Sequence, residues 1–191
     1  METVASLQSG LLSVCFYRVE DRLGHAIGRS DGLEELSAGI QTVLQSIEGS
    51  HGTPWPTSPP MQQVVSERIG HNRSEVLLGI GLSGNGHWSS AIESLPGNCL
   101  KFDVACKNSK RSNHFGSRYE LRTRQSLGQD ARIGEAFERR LELELGEHRF
   151  SISVSIGKLR VSDCQSYFDI LPDTDPGETR THRWCYEIST C

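Results

Sequence analysis

The sequence predicts a mainly β fold, either an antiparallel β-sandwich or an open meander sheet with one or two flanking helices. Three observations lead to this class. Apolar residues make up 36% of the 191 residues and Gly occurs 19 times, a composition typical of short strands joined by turns. Segments in which apolar and polar residues alternate recur at short spacing along the chain. The length suits a single domain that covers residues 1–191.

The first third of the chain combines a hairpin, a helix and a proline-rich segment. Residues 11–28 predict a hairpin that turns near Glu20 and Asp21. Residues 31–48 predict a helix, because apolar residues recur at helical spacing at Leu36, Ile40, Val43, Leu44 and Ile47. Residues 49–61 contain four prolines, which remove backbone donors, so we expect an ordered surface strap that Trp55 anchors to the core.

The most regular pattern lies in residues 75–107 and predicts a three-stranded meander. Apolar residues alternate along the first strand and should face the core: Val76, Leu78, Ile80 and Leu82. Residues 83–86 are a strong turn signal, and a second turn is expected at residues 96–97. The register that follows gives four facing pairs: Ser94 with Leu100, Ile92 with Phe102, Trp88 with Cys106, and Glu93 with Lys101. This register suits both faces of the sheet. It places Ile92 with Phe102 and Trp88 with Cys106 on the core side, and it brings the opposite charges of Glu93 and Lys101 together on the other side.

The remaining residues predict several further strands. Residues 129–145 are ambiguous, because their first part has helical spacing and their end alternates as a strand does. Residues 150–156 form the clearest amphipathic strand of the chain. Shorter strands are expected at 119–121, 159–161, 167–171 and 184–188. In total, eight to ten short strands are expected, as in sandwiches and barrels.

One glycine-rich segment offers an enzymatic interpretation. Residues 79–84 match the pattern G-x-G-x-x-G after a predicted strand, and Asp103 follows Gly84 by 19 residues. In a Rossmann-like enzyme, Gly79, Gly81 and Gly84 would hold a dinucleotide or methyl donor and Asp103 would bind its ribose. The helix after the motif would have to end before Pro96, which is short for a crossover. We therefore keep this interpretation as an alternative.

The meander itself offers a binding interpretation. Its face away from the core would carry small and charged residues that form a shallow polar trough: Gly79, Gly81, His87, Ser89, Ala91, Glu93, Lys101 and Asp103. The candidate ligand-binding residues are therefore His87, Ser89, Glu93, Lys101, Asp103 and Trp55. No catalytic residue is predicted. A sheet face that is merely exposed to solvent would have the same composition as this trough. The first hypothesis is thus a non-catalytic β domain that binds a partner protein or a small ligand.

Charge and cysteine placement argue against several other classes. The formal net charge is -4, which gives no general attraction to nucleic acid. A basic stretch at 101–124, with seven Lys or Arg, could contact phosphates, and nucleic-acid binding is the weakest alternative. The six cysteines lack close pairs and the histidines lack metal-binding spacing, so no metal or cofactor is expected. The acidic loop at 172–178 lacks the order of an EF-hand and predicts a turn.

Targeting signals are not visible in the sequence. No apolar run reaches the roughly 18 residues of a membrane span, and the N-terminal residues lack the basic region of a signal peptide. A cytoplasmic location without membrane contact is therefore expected.

Five segments also resemble a known group of proteins. They are residues 46–49, 55–63, 79–84, 87–93 and 102–106. Together they resemble a group of uncharacterised proteins of planctomycete bacteria. The resemblance implies a bacterial cytoplasmic protein of unknown role, and it assigns a function to no residue.

Overall fold

Two antiparallel β-sheets make up the described part of the chain in the computed structural model. The structure describes residues 2–30, 40–49, 53, 56–70, 74–109, 114–122, 131–145, 148–175, 178 and 180–190. All regular secondary structure in these residues is β-strand. The predicted mainly β, sandwich-like class is therefore confirmed, without the flanking helices in the part of the chain that the structure describes.

Among the described residues, seven strands form the first sheet and eight form the second. The first sheet contains β1 (Thr3–Ser9), β2 (Leu12–Val19), β3 (Arg22–Ser30), β4 (Ile40–Ser46), β9 (Ser117–Leu121), β14 (Tyr167–Leu171) and β13 (Lys158–Val161), in that spatial order. The second contains β10 (Ala131–Phe137), β11 (Arg140–Leu145), β12 (His148–Ile156), β15 (Thr181–Thr190), β8 (Cys99–Asn108), β7 (Gly86–Leu95), β6 (Ser74–Ser83) and β5 (Gln63–Ile69), also in spatial order. The last strand of the sequence, β15, thus lies in the middle of the second sheet.

The helix predicted over residues 31–48 is wrong where the structure describes it. Residues 40–46 form β4, which pairs with β3 on one side and β9 on the other. A bulge in the pairing at Ile27 and Gly28 lets consecutive residues Val43 and Leu44 both be buried. Two consecutive buried residues also fit the apolar spacing of a helix, so the sequence pattern alone does not distinguish the two. The pairing with β3 and β9 makes this segment a strand. Residues 31–39 lie outside the described residues.

Strand pairing also resolves the ambiguous segment at 129–145. Residues 131–137 and 140–145 form the hairpin of β10 and β11 rather than a helix. The alternating leucines Leu141 and Leu143 are fully buried, and β12 completes the pairing of β11. The strand-like alternation of apolar and polar residues at 141–145 therefore predicts the structure correctly, and the helical spacing of the residues before it does not.

The first hairpin and the β7–β8 part of the meander form as the sequence predicts. Strands β2 and β3 pair around a turn at residues 20–21, with Glu20 at a φ of 53°. Strands β7 and β8 adopt the predicted register in all four facing pairs. Trp88 and its partner Cys106 are buried, as expected for core residues.

The phase of β6 is opposite to the prediction, although Val76 is buried as the sequence predicts. Gly81 pairs with Trp88, so Gly79 and Gly81 face the core. Ile80 and Leu82 therefore point outward and are 58% and 56% exposed. The cause is the glycines themselves: a Cβ on Gly81 would overlap the carbonyl of Pro60, and one on Gly79 would lie 3.1 Å from Sδ of Met61. The glycines let another segment lie close on the sheet, as glycines within strands often do.

That segment is the end of the proline-rich strap at 49–61, of which residues 53 and 56–61 are described. The Ser58 hydroxyl donates to the Arg118 carbonyl at 3.0 Å and accepts from the Arg118 amide at 3.1 Å. Three residues later, the Met61 carbonyl accepts from the Leu23 amide at 2.6 Å. The strap thus connects the first sheet to β6 of the second. Trp55, its predicted anchor, lies outside the described residues.

Aromatic side chains from both sheets meet in the core. Tyr119 of the first sheet meets Tyr186 of the second edge to face, with ring centroids 6.2 Å apart. Within the second sheet, Tyr186 stacks on Phe102 at 4.9 Å, and Trp88 and Trp184 meet edge to face at 6.1 Å. Among the described residues, no cysteine forms a disulfide: Cys164 is exposed, and the others are buried at Cys15, Cys99, Cys106 and Cys185. No helix among the described residues has the length and apolar character to cross a membrane.

Candidate functional site

The predicted trough residues lie together on the outer face of the second sheet. His87, Ser89 and Glu93 alternate along β7 and point away from the core. On the neighbouring strand, Lys101 lies opposite Glu93, and Asp103 lies opposite Ala91. The structure therefore brings together five of the predicted site residues. We call this group, His87, Ser89, Glu93, Lys101 and Asp103, the outer trough.

Strand β15 adds a charge partner to the outer trough. The Arg183 guanidinium donates from Nε to Oδ1 of Asp103 at 2.8 Å and forms a second bond to Oδ2. This hydrogen bonding raises the pKa of Arg183. Both side chains are partly exposed, so the pair contributes little to stability and mainly fixes the position of the Asp103 carboxylate.

The glycine motif does not lie in a β-α-β unit. Gly79 and Gly81 belong to β6, and Gly84 turns the β6–β7 hairpin at a φ of 56°. Residues 87–95 are strand rather than the helix that a phosphate-binding loop requires. Asp103 is bound to Arg183 inside a strand. The Rossmann-like interpretation, including the cofactor roles of Gly79, Gly81, Gly84 and Asp103, is therefore wrong for this fold.

An aliphatic strip borders the outer trough, and sequence reasoning missed it. Its members point outward from β5 and β6 and are all exposed: Val65, Ile69, Ile80 and Leu82. The pairing of Ile80 with Ser89, and of Leu82 with His87, makes the strip continuous with the trough. The sequence signal that could have found it is the phase of Trp88, because a core indole opposite Gly81 forces Ile80 and Leu82 outward.

The acidic segment near residues 169–178 holds structural ion pairs. Asp169 binds Arg118 and Arg160, whereas Asp173 accepts from Arg139 and from the Gly157 amide. No group of three or more potential metal ligands occurs among the residues described. The turn predicted for this loop is consistent with these bonds.

A buried chain of polar groups crosses the core. Nε2 of His25 lies 2.8 Å from the Tyr119 hydroxyl, which lies 2.6 Å from that of Tyr186. Burial lowers the pKa of His25 to about 3 and raises the pKa of Tyr186. Since Tyr119 and Tyr186 are fully enclosed, this chain joins the two sheets and cannot reach a solvent-borne substrate.

A second buried group, Glu48, lies where β4 leads into the strap. Burial raises the pKa of its carboxyl to about 8. The Arg22 guanidinium binds the Glu48 backbone carbonyl, and the Ser46 hydroxyl donates to the carbonyl of His25. No described residue forms a hydrogen bond with either carboxyl oxygen of Glu48. Burial outweighs the Ser46 hydroxyl and the Arg22 guanidinium, which both lower the pKa, and so favours the neutral carboxyl.

Comparison with known proteins identifies a shared fold. No family model matches the chain, and no curated protein matches it. A solved structure described as "Heparinase III-BT4657 gene product" superposes with a TM-score of 0.50 at 6% identity. The match covers 99% of this chain but 36% of that chain, so the sequence spans about a third of its length. At this identity the similarity supports the fold alone.

Proposed function

We propose that this chain is a non-catalytic binding module whose outer face on the second sheet docks against another protein. The observation that carries the proposal is the aliphatic strip, in which Ile80 and Leu82 are each more than half exposed beside the polar trough. Contiguous exposed apolar patches with a polar rim mark interaction sites. The strip lies on the edge strand β5 and its neighbour β6 with the charged trough beside it, so apolar and polar surfaces adjoin as they do in protein interfaces.

The face is large enough for such an interface. Six neighbouring strands, from β12 to β5, contribute to it. With strands about 4.8 Å apart and about eight residues long, the face measures roughly 750 Å². One partner in a standard interface buries about 800 Å². The outer face is therefore about as large as the share that one partner contributes to a standard interface.

The charges on this face favour a protein over a nucleic acid. Lys101 and Arg183 alternate with Glu93, Asp103 and Glu187, so neither sign dominates. Phosphate binding requires an excess of cations. In the basic stretch at 101–124, Arg118 is bound to Asp169 and Arg122 is bound to Glu120, while Lys110, Arg111 and Arg124 lie outside the described residues.

Site-specific photocrosslinking tests the proposal. A photoreactive p-benzoylphenylalanine replaces Ser89 in the outer trough, and the same group replaces Val4, an exposed residue of the first sheet, as the control. In cells that naturally make the protein, irradiation should give a discrete protein adduct from position 89 and none from position 4. The partner identified in this way is then purified for binding measurements.

Substitution of the aliphatic strip supplies the second arm. Ile80→Lys and Leu82→Lys should each weaken binding of the purified partner at least about tenfold, the equivalent of 1.4 kcal/mol. Val4→Lys places the same charge at an exposed residue of the first sheet and should leave the affinity unchanged. Equal adducts from both positions, or an affinity that the two lysine variants do not alter, would contradict the proposal.

A further inference from the structure

A small cleft opens on the first sheet, separate from the outer face of the second. Its volume is about 210 Å³. The lining comes from the segment before β9, from β13, and from the end of β14 with the loop that follows it. The lining residues are His114, Phe115, Lys158, Arg160, Leu171, Pro172 and Thr174.

A row of charges lies across the three strands beside the cleft. Asp169 of β14 is the register partner of both Arg118 on β9 and Arg160 on β13. Arg118 donates to its two oxygens at 2.6 and 3.0 Å, and Arg160 donates from Nη2 at 2.6 Å. Only 1% of Asp169 is exposed. One carboxylate thus neutralises one of two guanidinium groups, and the row keeps an excess positive charge.

Two of the cations keep unused donors at the cleft. Lys158 lies two residues before Arg160 on β13, so both side chains point to the same face. Among the described residues, no carboxylate pairs with Lys158, and none accepts a hydrogen bond from Nε or Nη1 of Arg160. An ammonium and part of a guanidinium therefore line the same space. Together these groups are the donors that proteins use for carboxylate, sulfate and phosphate.

The opposite side of the cleft is apolar and tightly packed. Phe115 is buried and stacks on His182 with ring centroids 4.4 Å apart. A Cβ on Gly116 would lie 2.7 Å from Cδ2 of Leu171, so the backbone and this leucine are already in close contact. The apolar surface formed by Phe115, Leu171 and Pro172 is therefore preformed, as in most small-molecule sites.

We propose that this cleft binds a small organic oxyanion, with its charged group at Lys158 and Arg160 and its body against Phe115 and Leu171. The volume lies below the roughly 300 Å³ at which sites for drug-sized ligands begin, so the body is a single ring or a short chain. A dinucleotide would not fit. This site is independent of the protein interface proposed for the second sheet.

Titration calorimetry with defined anions tests the site. The probes are inorganic phosphate, phenyl phosphate, phenyl sulfate and benzoate, each at the same ionic strength adjusted with sodium chloride. Phenyl phosphate should bind about tenfold more tightly than inorganic phosphate, because its ring contacts the apolar wall. The ranking of phosphate, sulfate and carboxylate then identifies the anionic group. Binding of no probe above the chloride background, or equal binding of inorganic and phenyl phosphate, would overturn the proposal.

Variants locate the binding to the cleft. Lys158→Gln should weaken phenyl phosphate at least about tenfold, the loss expected for one charge-assisted contact. Lys107→Gln removes a similarly exposed lysine from the second sheet and should leave affinity unchanged. Lys158→Arg retains the charge and should retain most of the binding. Because Lys158 has no partner in the described fold, its variants should melt as the parent does, and unchanged affinity in Lys158→Gln would place the anion elsewhere.

Discussion

The two tryptophans that meet in the core, Trp88 and Trp184, should respond differently to the same substitution. Both indoles are buried, so Trp→Phe removes the same atoms and creates similar space at each position. The difference lies in the indole N–H. Trp184 donates to Oγ of Ser117 at 2.9 Å, which links the second sheet to the first. No described residue accepts a hydrogen bond from Nε1 of Trp88.

The magnitude follows from these hydrogen bonds. Trp184→Phe leaves a buried Ser117 hydroxyl with a lost partner, which costs about 1–3 kcal/mol beyond the cavity. Trp88→Phe removes an unpaired buried donor, and this gain of about 1 kcal/mol or more offsets part of its cavity cost. We therefore expect Trp184→Phe to be less stable than Trp88→Phe by about 2–4 kcal/mol. Trp88→Ala, which empties the site, should cost about 3–5 kcal/mol.

Urea unfolding at 25 °C, followed by far-ultraviolet circular dichroism, measures both values without relying on indole fluorescence. The two Phe variants should have the same slope with urea concentration and different midpoints. If their free energies of unfolding agree within about 0.5 kcal/mol, the hydrogen-bond argument is refuted. An unchanged stability of Trp88→Ala would refute the assignment of Trp88 to the core.

Three further predictions concern the buried charges and the strap. Because the pKa of Glu48 is raised to about 8 in the folded chain, its contribution to stability is fully present below about pH 4.5 and is lost as the pH rises to about 8. Glu48→Gln should therefore add about 3–5 kcal/mol to the free energy of unfolding at pH 8 and almost nothing at pH 4.5. Equal gains at the two pH values would contradict the assignment. Burial alone would raise the pKa of Asp169, but its bonds to Arg118 and Arg160 lower it overall, so its contribution is present above about pH 4 and lost as the pH falls. Asp169→Asn should cost about 3–5 kcal/mol at pH 7, and Asp103→Asn, whose carboxylate is partly exposed, less than about 1 kcal/mol. Comparable losses in urea unfolding would argue against this contrast. Gly81→Ala should lower stability by about 1–3 kcal/mol through overlap with Pro60, whereas Gly134→Ala, with ordinary contacts, should not, and a neutral Gly81→Ala would show that the strap can move away.

The fold could be predicted from the sequence where the residues on both faces of a strand restrict its register. The β7–β8 register could be predicted because Trp88 and Ile92 needed burial while Glu93 needed Lys101. In β6 the aliphatic residues alternate with glycines, and hydrophobicity alone chose the wrong face. The correct phase depends on the strap, a segment from a distant part of the sequence, lying against Gly79 and Gly81. The pattern of residues within β6 does not indicate that contact.

The candidate sites show the same division. The outer trough could be predicted, since its residues alternate along two adjacent strands. The cleft could not, because Phe115, Lys158 and Leu171 belong to segments that only the pairing of β9, β14 and β13 brings together. The similarity to planctomycete proteins and the cytoplasmic location stay predictions.

The central position of β15 has a consequence for how the chain reaches its native state during synthesis. Until residues 181–190 leave the ribosome, the second sheet exists as two fragments, β5 to β8 and β10 to β12, each with an open edge. The nascent chain must keep both edges from pairing with other chains until the last strand joins them. Slow folding is expected for such a topology, since nearly every contact of β15 links residues far apart in sequence. A stop codon before Thr181 should therefore yield aggregated chains rather than a smaller stable domain.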